Sequence, residues 1–442
     1  MNSSTTAQRK TIFFIICAAL VAAPLVVMFL FPSPTPLALL EKLGIALGFV
    51  GLTLAGLQFI PVARLPGLGN ALELDKVYKG HHAVSLLSIL FICLHPLVLI
   101  LHNTGFVALL NPFNKMTVWS AGAWGLIFFV IIGLVSAFRK EIKLDYKIWL
   151  ISHDILAVAL FVAALVHVFN VRLYTARKAM VGLWILQAVI WLGITLWIRL
   201  IRPLALSRKP YVVKEVVAQP NSTSDVYLVR KDGKPVMQFD AGQVAWIGTG
   251  SAFEFSRNPF SIAGSAEDRE KLRFSIKAAG DFTSKMATLK PGDQFFVDGP
   301  YGTCNICSDA AQAGVVLFGG GIGMAPIMSI LNTLADRKDK RPVYVFYGDL
   351  NEDTLMYQDE LKRLESQMNL TLVQVLERPI NPDFRPCGYI NRGLIEETLP
   401  ANYKEFSYFM CGPLPMMKAM VKALKALQVP EDQISAEEYE MA

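Results

Sequence analysis

Six histidines occur in the 442-residue chain, at positions 81, 82, 95, 102, 153 and 167, all in its first half. Four of them repeat one spacing: His81 and His95 are 14 residues apart, and so are His153 and His167. At about 100° per residue, 14 helical steps return to within about 40° of the same face and rise about 21 Å. Each helix then carries two imidazoles on one face at two heights. Apart from Cys93 and Asp154, no Cys, Asp or Glu accompanies these residues in their apolar segments, which disfavours an ordinary divalent-ion site. Imidazole pairs facing each other at two depths suit two six-coordinate b-type haems, with His81, His95, His153 and His167 as metal ligands. His82 competes with His81, but its 13-residue spacing to His95 turns it about 140° away from that face. His102, two turns beyond His95, reads as a rim residue.

The elements that must hold these side chains are apolar. The chain is 53% hydrophobic and 18% charged, too apolar for a soluble enzyme of this length. Runs of spanning length fall at about 12–31, 37–60, 82–101, 117–138, 149–170 and 179–200. The first follows Arg9 and Lys10 but stays apolar past any plausible cleavage site, so it reads as an anchor and not a signal peptide. Eleven Lys and Arg (Arg9, Lys10, Arg64, Lys76, Lys79, Arg139, Lys140, Lys143, Lys147, Arg199 and Arg202) gather on one side of these runs. Four (Lys115, Arg172, Arg177 and Lys178) lie on the other. The positive-inside bias therefore predicts a multi-pass protein of the plasma (inner) membrane with both termini in the cytosol. The net charge of +6 flanks the apolar runs and forms no basic face, so no nucleic acid is expected as a partner; membrane lipid is. Six scattered cysteines make no disulfide framework, and the single pair Cys304 and Cys307 is more often incidental than redox-active. Oligomeric state is not legible in the sequence.

The second half changes character. From about Tyr211 to Gly302, short alternating runs broken by turns predict a small antiparallel barrel. From about Ala313, strands and helices alternate, as in a parallel sheet with nucleotide at its strand ends. The uncharged stretch 313–331 is long enough to span, but Gly319-Gly320-Gly321 interrupts it and Pro326 follows, so it reads as strand, turn and helix. Glycines at 319, 320, 321 and 323, between a strand and a helix, let backbone N–H groups approach a pyrophosphate at the helix N-terminus. The expected fold is thus a six-span α-helical membrane bundle over residues 1–204, a β-barrel over 205–308 and an α/β parallel-sheet domain over 309–442.

The barrel followed by this sheet resembles the ferredoxin–NADP reductase superfamily over roughly residues 205–442. Asn258-Pro259-Phe260-Ser261 resembles its flavin-binding segment, in which the aromatic lies against the flavin and the hydroxyl approaches the reactive nitrogen. Gly280-Asp281-Phe282-Thr283 is similar to the segment that holds the FAD pyrophosphate, and Gly299-Pro300-Tyr301-Gly302 marks the end of the barrel. Gly319 to Pro326 resembles the nicotinamide-phosphate loop, and Cys411-Gly412-Pro413 the turn beside the nicotinamide. Tyr439 resembles the near-terminal aromatic that covers the flavin. The whole chain resembles the ferric reductase and NADPH oxidase superfamily, whose related members carry an L-D-[RK] segment six residues before the first ligand. Leu74-Asp75-Lys76 stands there relative to His81.

The resemblance implies an oxidoreductase that carries electrons from NAD(P)H through FAD, held by Phe260, Ser261 and Thr283, and two haems to an outside acceptor. Ser261, Cys411 and Tyr439 would be its catalytic residues, and oxygen or ferric chelates its small diffusible acceptor. A haem sensor or carrier with a vestigial reductase half is one alternative; a donor to quinone or a periplasmic protein is another. Two positions depart from the pattern. Asn258 stands where the family has His or Arg, with Arg257 displaced by one, so a weaker or re-routed phosphate contact is expected. Tyr439 is followed by three further residues. The acids of Tyr347-Gly348-Asp349-Leu350-Asn351-Glu352-Asp353, unaccompanied by Arg or Lys, predict NADH over NADPH; otherwise Lys338, Lys340 or Arg341 would be the phosphate partners. The outside connections, about 32–36, 102–116 and 170–178, are too short to build a cap, so an open outer edge is expected.

Overall fold

In a bilayer each backbone polar group must be bonded within its own segment, so apolar runs of this length become helices. The computed structural model describes residues 3–65, 74–254, 257–302 and 313–437. Tyr439 and the pair Cys304 and Cys307 lie outside the described residues. The chain divides into two units, Met1–Pro203 and Leu204–Ala442.

The first unit is helical: α1 (Ser3–Leu30), α2 (Leu39–Leu57), the short α3 (Phe59–Val62), α4 (Leu74–His102), α5 (Thr117–Ala137), α6 (Tyr146–Val171) and α7 (Lys178–Leu196). A π turn (Trp197–Ile201) continues α7 into α8 (Arg202–Ser207). Among the described residues six stretches are long and apolar enough to cross a membrane: Thr11–Leu30, Leu39–Val62, Val77–His102, Thr117–Ala137, Tyr146–Val171 and Lys178–Ser207. The third and the last run further towards the basic side than the hydropathy pattern suggests. Helical hydrogen bonding carries through the polar flanks at Tyr78 to His82 and at Arg199 to Ser207, where apolarity has already ended.

The second unit begins with β1 (Tyr211–Gln219), β2 (Thr223–Arg230), β3 (Val244–Thr249), β4 (Asn258–Ser261), β5 (Leu272–Lys277) and β6 (Gln294–Tyr301). They form one antiparallel sheet of order β4-β3-β6-β1-β2-β5. Its two edge strands meet at a single bridge, Ile262 to Phe274, so the expected barrel is nearly but not continuously laddered. Alternating inward residues, among them Val226, Leu228, Ile247, Phe274 and Phe295, are fully buried.

After it come β7 (Gly314–Gly320), α9 (Met324–Asp336), β8 (Val343–Asp349), α10 (Gln358–Gln367), β9 (Leu370–Leu376), α11 (Arg392–Thr398), β10 (Phe406–Cys411), α12 (Leu414–Ala426) and β11 (Ile434–Glu437). The sheet is parallel with order β11-β10-β7-β8-β9. Strand order reverses between β7 and β10. Ligands of such sheets bind in the crevice beyond the carboxyl ends of the strands at that switch.

Candidate functional site

In the membrane unit the two long helices α4 and α6 bring the histidines together in pairs. His81 faces His153 and His95 faces His167, each with ring centroids 6.4 Å apart. A metal–imidazole bond of about 2.0 Å on either side, plus a ring radius of about 1.1 Å at either end, gives about 6.2 Å between centroids. Each pair is therefore spaced to hold one iron between two imidazoles. Among the described residues no cluster of three or more His, Cys, Asp or Glu forms a metal-ion site. A metal at either pair would take its remaining ligands from outside these side chains, as the macrocycle of a haem would supply them. Asp154, beside His153, is paired with Arg199.

The hydrogen bonds around the rings decide which nitrogen faces inward. His95 Nδ1 donates to the Gly44 carbonyl at 2.8 Å and His167 Nδ1 to the Val118 carbonyl at 2.9 Å. A carbonyl only accepts, so both rings carry the proton on Nδ1 and present Nε2 as a free lone pair. Such donation orients a ligating ring and raises its basicity. At the other pair, His153 Nδ1 lies 3.4 Å from the Ser136 hydroxyl, which also accepts from Trp149 Nε1 at 3.2 Å. His81 Nδ1 is buried with no hydrogen-bond partner among the described residues. His82 is exposed, and His102 lies 3.8 Å from Glu41.

Two glycines that the sequence reading passed over make room for the rings. A Cβ on Gly48 would stand 2.9 Å from His95 Nδ1, and one on Gly122 would stand 2.6 Å from His167 Nδ1. The Gly44-x-x-x-Gly48 spacing on α2, a small-residue signature of close helix approach, was the available signal. An apolar cavity of about 160 Å³ opens beside His95 and His167, lined by Phe49, Leu52, Leu126, Leu160 and Tyr174 among others. The connection 102–116 covers part of this edge. Asn103 caps a short helical segment, Thr104–Leu110, whose Phe106, Leu109 and Leu110 join the cavity wall. Apolar side chains at these positions turn a short connection inward, which length alone did not reveal.

In the second unit, Asn258, Pro259, Phe260 and Ser261 form β4, paired to β3 with Phe260 opposite Ala245. Phe260 stacks on Phe282 at 6.1 Å between ring centroids, so the two expected flavin segments meet. Phe282 is the aromatic that sequence reasoning quoted without assigning. The Thr283 hydroxyl orders its own turn, accepting from the Ala279 and Gly280 N–H groups at 2.8 and 2.9 Å. Arg257 is buried: it donates to the Ala252 carbonyl and lies 3.9 Å from Asp298. Its guanidinium is thus engaged inside the sheet.

The glycine loop and Cys411-Gly412-Pro413 leave adjacent strands, β7 and β10, at the switch point. A Cβ on Gly323 would overlap the Cys411 carbonyl and stand 2.8 Å from the Gly412 nitrogen; one on Gly412 would meet the Gly320 nitrogen at 3.1 Å. Backbone packs on backbone there, and Gly321 takes a positive φ of 52°. Pro326 is buried in the first turn of α9. The resulting cradle, at the start of α9, suits a dinucleotide pyrophosphate.

Comparison with known proteins agrees with both units. Residues 47–165 match the family described as ferric reductase like transmembrane component, and residues 317–422 the oxidoreductase NAD-binding domain. The chain joins these two components in one polypeptide. It is a multi-pass membrane protein whose second unit has the organisation of an FAD- and NAD(P)H-binding reductase module. The reductase half is 25% identical to a flavohemoprotein of Halalkalibacterium halodurans over 52% of this chain and 59% of that protein. It is 28% identical to the propane 2-monooxygenase reductase component of Mycolicibacterium goodii, over 50% and 65% of the two chains. The chain thus spans less than two thirds of these relatives. The crystal structure of the Amycolatopsis cytochrome P450 reductase GcoB superposes with a TM-score of 0.47 at 24% identity, covering 52% of this chain and 69% of that one.

Proposed function

We propose that this reductase takes electrons from cytosolic NAD(P)H, by way of FAD and two b-type haems, across the plasma (inner) membrane to oxygen or a ferric chelate outside. The observation that carries the reading is the pair of imidazole pairs, each 6.4 Å apart between ring centroids. Haem iron bound at such pairs supplies a one-electron centre at each depth. The chain's own part is to orient the rings through Gly44 and Val118, to keep charge and bulk out at Gly48 and Gly122, and to aim the nicotinamide cradle at the Phe260 and Ser261 segment. The charge bias across the spans supports cytosolic termini.

Haem per chain in purified protein tests this. A ratio near two is expected, with His95→Ala and His153→Ala each losing about one. A wild-type ratio near one, or full haem in both variants, would falsify the two-haem reading. Bleaching of bound FAD by NAD(P)H separates a working reductase from a haem carrier with an inert second half.

A further inference from the structure

Arg273, on β5, is 7% exposed and belongs to neither set of residues assigned above. Its side chain spans two lobes of the second unit. On the sheet side, Nε and Nη2 donate to Asp225 Oδ2 at 3.1 and 2.7 Å. On the nucleotide side, Nη1 donates to both carboxylate oxygens of Glu360 on α10, at 3.0 and 2.8 Å. The rings of Tyr227 and Tyr357 lie 5.8 and 5.0 Å from its guanidinium carbon. Burial would lower its pKa, but Asp225 and Glu360 more than offset this and hold it above the ordinary arginine value.

The network reaches both halves of the reaction site. The Arg273 carbonyl accepts from Ala263 N–H at 2.7 Å, two residues beyond Ser261. Glu360 Oε1 accepts from Asn332 Nδ2 at 2.8 Å, and Asn332 sits on α9, the helix that opens at the glycine loop. One residue therefore links the chain just beyond the flavin segment to the helix that follows the glycine loop. Buried ion pairs add little net stability against desolvation. What a planar guanidinium held by a carboxylate on each side adds is direction. Cohesion between the lobes has other sources: Ser329 donates to the Gly264 carbonyl at 2.7 Å, and Ala266 N–H to Thr333 at 2.9 Å.

We propose that Arg273 is a positioning residue that sets the angle between the flavin-binding sheet and the nucleotide lobe for hydride transfer. The inference rests on the NAD(P)H-to-FAD part of the proposed function and not on the haems. The step it serves moves one hydride, two electrons with a proton, from nicotinamide C4 to flavin N5. NAD(P)H leaves as NAD(P)⁺ and the flavin is two-electron reduced.

Anaerobic stopped-flow bleaching of FAD by NADH in the full detergent-purified chain tests it, in wild type, Arg273→Gln, Arg273→Lys and Glu360→Gln. Arg273→Gln should slow the saturated rate about 10²-fold, the usual cost of an ångström-scale misplacement. FAD content and NADH Kd should stay within about twofold of wild type, as expected when orientation and not uniform binding is lost. The flavin–nicotinamide charge-transfer band should weaken, and the isotope effect with 4-deuterated NADH should persist on the slowed step. Arg273→Lys and Glu360→Gln, each keeping one arm, should fall between. An unchanged rate in Arg273→Gln would overturn the proposal, as would losses in the two milder variants that track FAD loss alone. A separate steady-state assay with NADH and ferricyanide, which bypasses the haems, should show the same order of rates among the variants.

Discussion

His95 and His167 face each other 6.4 Å apart, and each hands its Nδ1 proton to a backbone carbonyl of a neighbouring helix. His81 and His153 have the same separation without that support: the Ser136 hydroxyl is at the long limit of a hydrogen bond, and His81 Nδ1 has no partner among the described residues. The geometry of the pairs is alike; their outer hydrogen bonding is not.

Loss of a ligand's outer partner costs about 10–100-fold in metal affinity. Haem should therefore leave the His81 and His153 pair first. Transfer to excess apomyoglobin, followed in wild type and in His95→Ala, should show two phases in wild type, the faster one surviving in the variant. A single phase, or a faster phase lost with His95, would contradict this.

Filling the space at Gly122 should act on one pair alone. Gly122→Leu places its side chain on the His167 ring. About half of the haem should disappear from the purified protein, with the other half spectrally intact. Retention of all haem would mean that α5 shifts to accommodate the side chain.

The ring pairs were legible because 14 residues is close to four helical turns, so one helix shows its own periodicity. Their surroundings were not, because Gly48 facing His95 depends on which helix packs against α4. The glycine loop and the Cys411 turn were readable as local motifs; that backbone touches backbone at Gly323 follows only from β7 and β10 being neighbours. Arg273 gave no signal, since its partners lie 48 and 87 residues away. The inward fold of Thr104–Leu110 was hidden because connection length says nothing of packing.

Gly323→Ala should cripple the cradle. Its Cβ overlaps the Cys411 carbonyl, so the two loops must part. NADH-driven ferricyanide reduction should fall about 10²-fold with FAD still bound. Wild-type turnover in the variant would exclude this contact from the reaction geometry.

NADH should be preferred over NADPH. Asp349 ends β8 with its carboxylate fixed by the Tyr347 hydroxyl at 3.2 Å and the Leu350 N–H at 2.8 Å. Arg341, one alternative phosphate partner, is paired with Asp339 at 2.7 Å. A fixed carboxylate there accepts from a ribose hydroxyl and repels a phosphate. The ratio of kcat/KM for the two cofactors should favour NADH and shrink in Asp349→Ser. A clear NADPH advantage in wild type would point to Lys338 or Lys340 instead.

The acceptor is constrained by the wall beside His95 and His167. Phe106, Leu109 and Leu110 line one side, and among the described residues the cavity lining contains no Lys, Arg, Asp or Glu. Arg177, part of the nearby basic connection, is committed to the Pro32 carbonyl at 3.0 Å. Oxygen partitions into apolar surroundings, whereas an anionic ferric chelate would shed hydration without a compensating charge. Oxygen uptake should therefore dominate, and iron reduction under air should be suppressed by superoxide dismutase. Phe106→Ala combined with Leu109→Ala thins the wall and should raise anaerobic reduction of ferric chelate while leaving oxygen uptake unchanged. Anaerobic iron reduction by wild type at the aerobic rate would show that the wall is no barrier. Failure of both acceptors with rapid turnover on added quinone would favour a lipid-soluble partner reached from the bilayer side.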